Sequence, residues 1–276
     1  MHIDVDSLLR QRLPRHYRYI PHFAVRWLER LICQDEINDV MRAVGDARGV
    51  EAVDRALDHM GIKLEVTGLD NIPSQGRLVM ASNHPLGGLD GLALISLMGH
   101  RYGFDGIRFM VNDLLMAIEP LRGIFMPVNK FGRQSREAAG QIEQEWAGPR
   151  QMLTFPAGLC SRKMSDGTIH DLKWQKFFVT HAIMHQRDVV PIYFDAHNSR
   201  FFYNLAKFRA KLKLKFNIEM IYLPREMMKC RNTTLRIHIG KPVSWSSLDP
   251  SHPASEAARL CQMAYSLAPD GKKHQP

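Results

Sequence analysis

The residues whose types and spacing best suit catalysis lie in the segment "NHPLGGLDG" (83–91), where His84 precedes Asp90 by six positions. A strand-like run, "RLVMAS" (77–82), ends directly before this segment, and a helix-like run follows it. In an open α/β sheet, reactive loops lie at such carboxyl ends of strands. A carboxylate on one ring nitrogen of a histidine fixes the tautomer and makes the other nitrogen a stronger base. The segment therefore fits an acid–base dyad.

The same spacing also fits a strand-to-helix turn that has no catalytic role. In that interpretation, Asp90 caps the following helix and His84 is a buried turn residue. In the dyad interpretation, the backbone freedom of Gly87 and Gly88 lets the loop fold back until the Asp90 carboxylate reaches the His84 ring. The spacing alone leaves both interpretations open.

Polar and basic residues follow three further strand-like runs. The segment "TFPAGLCSRK" (154–163) passes through Pro156 and Gly158 into Ser161 and Arg162. Backbone amides of a glycine turn, with a hydroxyl and a guanidinium beside them, can hold an oxyanion or a negatively charged headgroup. The alternative is an ordinary strand-exit turn.

The two remaining exits carry less distinctive groups. The segment "GIFMPVNKFGRQSREA" (123–138) leads into a polar and basic set made of Asn129, Lys130 and Arg133. The segment "DVVPIYFDAHNS" (188–199) leads into another set made of Asp195, His197 and Asn198. We interpret His197 as a loop residue satisfied by the local backbone.

The elements that must position these segments are strand-like runs alternating with helix-like runs. This pattern predicts an α/β fold with a mixed, mostly parallel central sheet flanked by helices, and an N-terminal helical segment. The predicted strands are 62–68, 77–82, 107–111, 151–155, 189–194 and 235–240. The predicted helices are 24–46, 50–60, 90–99, 134–146, 172–185, about 199–212, and 247–267 with a cap at Ser251 or Ser255. We expect three regions, namely a basic, amphipathic helical region (1–60), a central domain (61–245), and a C-terminal helix with a flexible tail (246–276).

Composition narrows the class of protein. The chain has 276 residues, of which 45% are hydrophobic, as in ordinary globular proteins. Its four cysteines are far apart and form no CxxC pair, so we predict neither a metal site nor a disulfide framework. Apolar runs are interrupted before they reach the length of a membrane span, and the N-terminus lacks the features of a signal peptide.

The net charge of +9 is concentrated in two stretches, 10–30 and 200–216, where basic residues alternate with aromatic ones. Such a mixture suits an anionic membrane surface or a nucleic acid, and its simplest alternative is a solvated basic face. In the second stretch the aromatic residues Phe201, Phe202, Tyr203 and Phe208 favour a binding surface over a solvated face.

Taken together, these segments resemble the glycerolipid and lysophospholipid (PlsC-like) acyltransferase superfamily over about residues 61–245. The resemblance is carried by "VTGLDNIPSQGRLVMASNH" followed by Asp90, by "FPAG" followed by "SR", and by "VVPIYF", in that order. It extends more closely to the bacterial hemolysin-like branch, whose members acylate lyso-lipids, including lyso-amino-acid lipids. By this resemblance, His84 is the general base and Asp90 its orienting partner. The acceptor hydroxyl then attacks the thioester of acyl carrier protein or coenzyme A.

The resemblance also implies a set of binding residues and partners. The substrate site is expected at Asn83, Gly87, Gly88, Asn129, Lys130, Phe155, Pro156, Gly158, Ser161 and Arg162. No bound cofactor is expected, because acyl carrier protein or coenzyme A thioesters are substrates. The expected partners are acyl carrier protein and an anionic membrane surface, contacted through 10–30 and 200–216, and no nucleic acid. The expected location is cytoplasmic, on the inner face of the cell membrane.

Three departures from the family pattern bear on the acceptor. Five residues, not the usual four, separate His84 from Asp90, and the Gly87-Gly88 turn is expected to absorb the extra one. The family's Phe-Pro-Glu-Gly-Thr-Arg is replaced here by Phe-Pro-Ala-Gly-Leu-Cys. Asn129 and Lys130 stand where enzymes with phosphate-bearing acceptors place an arginine, which binds phosphate better than lysine does.

These departures predict a lyso-amino-acid lipid of the ornithine or glycine type as the acceptor. The main alternative is a 1-acylglycerol-3-phosphate acyltransferase of phospholipid synthesis. A lipid hydrolase ranks lower because the GxSxG nucleophile motif is absent. A nucleic-acid-binding protein also ranks lower, because it leaves the 83–91 loop unexplained.

Overall fold

A computed structural model describes residues 3–128, 136–214 and 216–269. Asn129, Lys130, Arg133 and Lys215, for which roles were predicted, lie outside the described residues, as does the end of the predicted tail. The strands are β1 (Lys63–Thr67), β2 (Leu78–Ser82), β3 (Ile107–Asn112), β4 (Phe125–Val128), β5 (Gln151–Thr154), β6 (Arg162–Lys163), β7 (Ile169–His170), β8 (Asp188–Asp195) and β9 (Thr234–Ile239).

The helices alternate with these strands along most of the chain. They are α1 (Val5–Arg12), α2 (His22–Leu31), α3 (Gln34–Val44), α4 (Gly49–His59), α5 (Leu89–Tyr102), α6 (Arg136–Ala147), α7 (Phe177–Met184), α8 (Arg200–Lys211), α9 (Leu223–Lys229) and α10 (Pro253–Tyr265). Among the described residues, none of these helices is long and apolar enough to cross a membrane.

The central sheet has seven strands in the order β1-β9-β8-β2-β5-β3-β4, and β6 and β7 form a separate antiparallel hairpin. Neighbouring strands of the sheet run parallel except for β8 and β9, which run antiparallel. The predicted mixed, mostly parallel sheet flanked by helices is therefore confirmed. The central strand β2 is buried along its whole length because helices cover both faces of the sheet.

Each face of the sheet has its own hydrophobic core. Successive side chains of a strand point to opposite faces, so Met80 of β2 joins the core beneath α4 and α5, and Val79 joins the core beneath α6, α7 and α10. The sheet thus forms the middle layer of three, and the carboxyl ends of β2, β3, β4 and β5 all open on one edge.

Several boundaries differ from the predicted ones. The predicted helix 24–46 is interrupted at Cys33, which adopts a left-handed backbone with φ of 55°. This conformation is uncommon for residues other than glycine, so the residue type does not predict it. The last helix begins after His252 instead of at a serine cap, with Pro253 at the start of the helix, where its fixed φ is favourable. The predicted division into three regions stays a prediction.

Candidate active site

The loop between β2 and α5 brings His84 and Asp90 together at the carboxyl edge of the sheet. The Nδ1 atom of His84 lies 3.0 Å from Oδ2 of Asp90. The same carboxylate accepts backbone N–H bonds from Leu86 at 2.9 Å, Gly87 at 3.3 Å and Gly91 at 3.0 Å. Asp90 therefore closes the loop and contacts the imidazole with one side chain.

Asp90 is fully buried, yet its surroundings favour the ionised form. Burial by itself would raise the pKa of Asp90. The charge and hydrogen bond of His84, together with the amides of Leu86 and Gly87, outweigh that effect and hold this pKa below its ordinary value. An ionised Asp90 accepts the proton of Nδ1, which leaves Nε2 of His84 as the basic nitrogen of the ring.

Phe155 covers one face of the His84 ring. The two ring centroids are 3.9 Å apart with an interplanar angle of 16°, and the edge of Phe109 supports Phe155 from a centroid distance of 5.3 Å. The His84 side chain keeps 16% of its surface exposed, so the base is mostly enclosed but accessible. The substrate contact predicted for Phe155 stays a prediction, and in the structure its ring lies against the imidazole and restricts the plane of that ring.

The main chain on both sides of His84 is tied to β8 and the segment after it. Asn83 is buried, and its side-chain amide pairs with the backbone of Phe194, with Oδ1 accepting at 2.7 Å and Nδ2 donating at 3.1 Å. Nδ2 of Asn198 donates to the carbonyl of Pro85 at 3.0 Å. Asn83 thus holds the loop in the structure, and its predicted contact with substrate stays a prediction.

Asp171 is a buried carboxylate that contacts the backbone of His84. The N–H of His84 points at both Asp171 oxygens, at 3.2 and 3.3 Å, and the carbonyl of His84 accepts the N–H of Ser161 at 2.8 Å. Asp171 also accepts bonds from the Ser161 hydroxyl at 2.6 Å and from Nε1 of Trp174 at 2.9 Å. Asp171 was not predicted from the sequence, in which it is marked only as an acidic residue three positions before Trp174.

The two loop glycines have different roles. Gly87 has φ of 79°, and a Cβ there would meet the Leu223 methyl groups at 2.8 Å, so both its backbone and its surroundings require glycine. Gly88 has a φ of −165°, outside the left-handed region, and has space for a side chain. The structure thus shows a requirement for glycine at Gly87, and the role predicted for Gly88 in bending the loop stays a prediction.

The turn after β5 reaches the site through Phe155. Gly158 has φ of 67° and donates its N–H to the Phe155 carbonyl at 2.9 Å, which closes a tight turn. The carbonyl of Pro156 accepts the N–H of Gln175 at 3.0 Å. These contacts place the turn beside the imidazole, and the binding roles predicted for Pro156 and Gly158 stay predictions.

Arg162 does not extend as a free cation into solvent or into an open site. Its side chain is 10% exposed and forms an ion pair with fully buried Glu219 at 2.9 Å, and Arg209 contacts the same carboxylate at 3.2 Å. Its guanidinium also lies over the ring of Phe202, 5.6 Å from the centroid. The binding role predicted for Arg162 stays a prediction, and in the structure its guanidinium is already paired with a buried carboxylate.

The two candidate nucleophiles of a hydrolase are both inaccessible. Cys160 is fully buried, and this burial raises the pKa of its thiol to about 11, which disfavours the reactive thiolate. Ser161 is 1% exposed and donates its hydroxyl to Asp171. Neither environment resembles that of an activated nucleophile, which needs a neighbouring base and access for the substrate.

The chain between β8 and β9 folds over the loop. Leu223, at the start of α9, packs on Gly87, and a small core of Cys160, Ile169, Phe202 and Tyr203 joins α8 to the turn after β5. The outer surface of this segment exposes a set of large apolar side chains, which we call the α8 patch: Phe201, Phe208, Leu212, Leu214 and Phe216.

Comparisons with known proteins agree on one family. The family model described as "Acyltransferase" matches residues 7–264. The chain is 42% identical over 267 residues to a lyso-glycine lipid O-acyltransferase of Bacteroides thetaiotaomicron, covering 96% of this chain and 97% of that one. It is 41% identical over 266 residues to a protein of the same name from Phocaeicola vulgatus, covering 96% of this chain and 95% of that one.

Among solved structures, the chain is similar to the crystal structure of the 1-acyl-sn-glycerophosphate (LPA) acyltransferase PlsC from Thermotoga maritima. It superposes with a TM-score of 0.49 at 15% sequence identity, covering 94% of this chain and 85% of that one.

Proposed function

The chain belongs to this acyltransferase family, and we propose that it transfers a fatty acyl group from a thioester to the hydroxyl of a lyso-glycine-type lipid. The observation that carries the choice of acceptor is the identity of 42%, over nearly the full length of both chains, to a protein named for that reaction. The placement of His84 and Asp90 supplies the chemistry such a transfer needs.

In the proposed reaction, Nε2 of His84 removes the proton of the acceptor hydroxyl as the oxygen attacks the thioester carbonyl carbon. Asp90, bonded to Nδ1 at 3.0 Å, keeps Nε2 unprotonated beforehand and stabilises the imidazolium that forms. The tetrahedral intermediate collapses with cleavage of the carbon–sulfur bond, and His84 returns the proton to the leaving thiolate. The products are the O-acylated lipid and the free thiol of the carrier.

The environment of Arg162 supports an acceptor without a phosphate group. Arginine is the residue best suited to bind a phosphate through two parallel hydrogen bonds. In this chain the arginine that follows the turn after β5 is committed to Glu219 at 2.9 Å and is buried. A lipid headgroup that carries a single carboxylate needs fewer cationic side chains for binding than a phosphate does.

Acyl carrier protein is the proposed donor, and coenzyme A thioesters are the alternative outcome of the assay. The net charge of +9 supports this choice, because acyl carrier proteins are acidic and complementary charge accelerates their encounter with a basic enzyme. No other cofactor is required by the proposed chemistry, since the bonds that break, C–S and O–H, and the bonds that form, C–O and S–H, all involve atoms of the two substrates.

The proposed location is the inner face of the cell membrane, bound peripherally through two exposed surfaces. The α8 patch combines apolar side chains that are about half exposed, such as Phe208 at 59%, with exposed Lys207, Lys211 and Lys213. The N-terminal patch, which we define as Tyr19, Phe23 and Trp27 with exposed Arg26 and Arg30, has the same mixed character. Each cation near an anionic bilayer contributes about 1 kcal/mol, and the aromatic rings add apolar burial.

Helix α9 lies close both to the catalytic loop and to the junction of α2 and α3. Through Leu223 it packs on Gly87 of the catalytic loop. Arg225 and Lys229 of the same helix act electrostatically on Cys33, which joins α2 to α3. This neighbourhood supports a single membrane-facing side from which the apolar acceptor reaches His84 without leaving the bilayer.

The proposal is tested with purified full-length protein and two acceptors of matched acyl chain, a lyso-glycine lipid and lysophosphatidic acid. Each is offered acyl carrier protein or coenzyme A thioesters, and the acylated lipid is measured by mass spectrometry. We expect turnover of the lyso-glycine lipid, with the carrier-protein donor preferred. Faster turnover of lysophosphatidic acid would overturn the proposed acceptor.

The catalytic role of the histidine is tested by His84→Ala, with His197→Ala as its control. His197 follows the neighbouring strand β8, is exposed, and bonds only to the carbonyl of Asn198 among the contacts described. We expect His84→Ala to lower kcat by about 10²–10⁴ or more, as removal of a general base does, and His197→Ala to retain activity. Retained activity in His84→Ala would exclude the proposed mechanism.

A further inference from the structure

Two carboxylates approach His84 from different directions, and the proposed mechanism uses only one of them. Asp90 contacts the ring at Nδ1, whereas Asp171 contacts the main-chain N–H of the same residue at 3.2 and 3.3 Å. Asp171 is only 3% exposed. A buried carboxylate is costly unless its partners compensate it, so its place beside the base requires an explanation.

The partners of Asp171 hold two segments of chain together. Its Oδ1 atom accepts the Ser161 hydroxyl at 2.6 Å, and its Oδ2 atom accepts Nε1 of Trp174 at 2.9 Å. Ser161 in turn donates its own N–H to the carbonyl of His84 at 2.8 Å. The backbone of His84 is thus bound at both its N–H and its carbonyl to residues 161–174, which form the β6–β7 hairpin and its flanks.

None of the hydrogen-bond donors that reach Asp171 in these contacts is a cation. Burial raises the pKa of Asp171 above its ordinary value, whereas hydrogen bonds from Ser161, Trp174 and the His84 amide lower it. The charge of the His84 imidazole also lowers this pKa, so an ionised Asp171 and a protonated His84 favour each other.

We infer that Asp171 is a positioning residue for the catalytic histidine, which fixes the His84 backbone by accepting its N–H and favours the imidazolium through its buried charge. This inference rests on the proposed function, in which His84 is the general base. It predicts that Asp171 acts on the rate of the chemical step and not on the binding of either substrate.

The groups that face this pair from the surrounding elements include His170 of β7, whose Nδ1 lies 3.0 Å from the Asp171 carbonyl and whose ring stacks on Tyr265. Asp90 of α5 stays ionised, because its pKa is held below the ordinary value. Burial raises the pKa of Tyr193 in β8 and of Tyr265 in α10, and it raises the pKa of Cys261 in α10 to about 12. These three stay neutral over about pH 6–9, and His170→Gln in the same assay separates an effect of His170 from one of His84.

The test compares Asp171→Asn with Asp166→Asn in the full-length protein. Asp166 lies in the turn of the same hairpin, is exposed, and accepts bonds only from Thr168 among the contacts described. For Asp171→Asn we expect kcat to fall at least about tenfold, with KM for both substrates changed less than about twofold. We also expect the acid limb of the kcat/KM profile to move to lower pH, because the lost negative charge no longer favours the imidazolium. Asp166→Asn is expected to match the unaltered enzyme.

An unchanged kcat and pH profile in Asp171→Asn, with His84→Ala inactive, would overturn this inference and leave the proposed function standing. Activity in His84→Ala would overturn both. A loss of activity in Asp171→Asn that equals the loss of folded protein, measured by near-ultraviolet circular dichroism, would assign Asp171 a purely structural role.

A second variant keeps the test decisive if Asp171→Asn does not fold. Ser161→Ala removes the hydroxyl bond to Oδ1 but keeps the Asp171 carboxylate. We expect kcat to fall about 3- to 10-fold, which corresponds to the loss of about one hydrogen bond. We expect the acid limb of the kcat/KM profile to stay where it is. Hydrogen exchange of the peptide containing the His84 amide should be faster in this variant. A kcat within about twofold of the unaltered enzyme, with unchanged exchange, would overturn the inference.

Discussion

The imidazole of His84 lies nearly parallel to the phenyl ring of Phe155, with their centroids 3.9 Å apart. Asp90 contacts the same imidazole in its plane, at Nδ1, so the ring is held on one edge and one face. Phe155 follows β5, and His84 follows β2, which are neighbouring parallel strands. The sheet therefore sets the position of the base relative to its support, and the loop alone does not.

Replacing Phe155 by leucine should lower the rate of acyl transfer while the protein stays folded. A leucine keeps apolar contact but loses the flat surface that fixes the imidazole plane, so we expect kcat to fall about tenfold, the scale of an aromatic pair worth about 0.5–1.5 kcal/mol. Phe177→Leu is the control, because Phe177 stacks on His181 at the same centroid distance of 3.9 Å, away from the loop. Equal activity of Phe155→Leu and Phe177→Leu would contradict the orienting role.

Replacing Asp90 by asparagine should be far more damaging. The neutral amide cannot stabilise the imidazolium. If its N–H₂ group faces Nδ1, that nitrogen loses its acceptor, and the tautomer with the proton on Nε2 is favoured, which cannot act as the base. We expect kcat to fall by about 10²–10⁴, measured under saturating substrates. Asp54→Asn is the control, because Asp54 bonds to His100 at 2.8 Å on the outside of α5. A loss below about tenfold in Asp90→Asn would show that the dyad is not the catalytic unit.

The two buried aspartates should contribute to stability with opposite pH dependence. Asp90 has a lowered pKa when folded, so its contribution is complete above the ordinary aspartate value of about 3.9 and is lost as the pH falls below it. Asp171 has a raised pKa, so its ionisation costs stability at neutral pH and this cost disappears as the pH falls toward 3.9.

Thermal melting between about pH 7 and pH 4 separates the two. The difference in Tm between the unaltered protein and Asp171→Asn should shift in favour of the unaltered protein as the pH falls. The corresponding difference for Asp90→Asn should stay constant over that range. A constant difference for Asp171→Asn would mean that its folded and unfolded pKa values are equal.

The sheet and the dyad loop could be predicted because both depend on residues that lie close together in the sequence. Alternating strand and helix runs identify the fold class, and His84 and Asp90 lie in one loop whose length is visible in the chain. Asp171 was missed because it lies 87 positions from His84 and contacts its main-chain N–H. Residues of almost any type carry such a group, so the type of the contacted residue gives no signal.

The ion pair of Arg162 could not be predicted from the sequence either. An arginine after a glycine turn has the same appearance in sequence whether it faces a substrate or a buried carboxylate. The partner that decides between these, Glu219, lies 57 positions later in a segment without recognisable periodicity. Long-range ion pairs of this kind depend on how the segment between β8 and β9 folds back, which the local pattern does not contain.

Replacing Gly87 by alanine should destabilise the protein, and Gly88→Ala should not. At Gly87 the left-handed backbone disfavours a Cβ, and that Cβ would lie 2.8 Å from the Leu223 methyl groups. We expect Gly87→Ala to lower the free energy of unfolding by about 1–3 kcal/mol, measured by urea denaturation. At Gly88 the φ of −165° lies outside the left-handed region and the nearest atom, Sδ of Met227, is 3.9 Å away, so we expect less than about 0.5 kcal/mol. Equal effects would exclude this difference between the two glycines.

The α8 patch should govern binding to anionic vesicles. Phe208→Ser removes an aromatic ring that is 59% exposed beside Lys207 and Lys211, and we expect weaker flotation with phosphatidylglycerol-containing vesicles. Met184→Ser is a matched control, because Met184 is also 59% exposed but lies at the end of α7. Binding should weaken with added salt for both the unaltered protein and the control. Identical flotation of the two variants would contradict a role of the α8 patch in membrane binding.

Replacing Glu219 by glutamine should test whether Arg162 serves the fold or the substrate. Glu219 is fully buried between Arg162 and Arg209, so the neutral variant leaves two guanidinium groups without their counter-charge. Loss of a buried ion-pair partner costs about 3–5 kcal/mol, and we expect a fall of that size in the free energy of unfolding. Glu65→Gln is the control, since the Glu65–Arg236 pair is largely exposed and such pairs contribute at most about 1 kcal/mol. If Arg162 instead binds substrate, Glu219→Gln should free it and lower the KM for an anionic acceptor at little cost in stability, and that result would support the binding role predicted from the sequence.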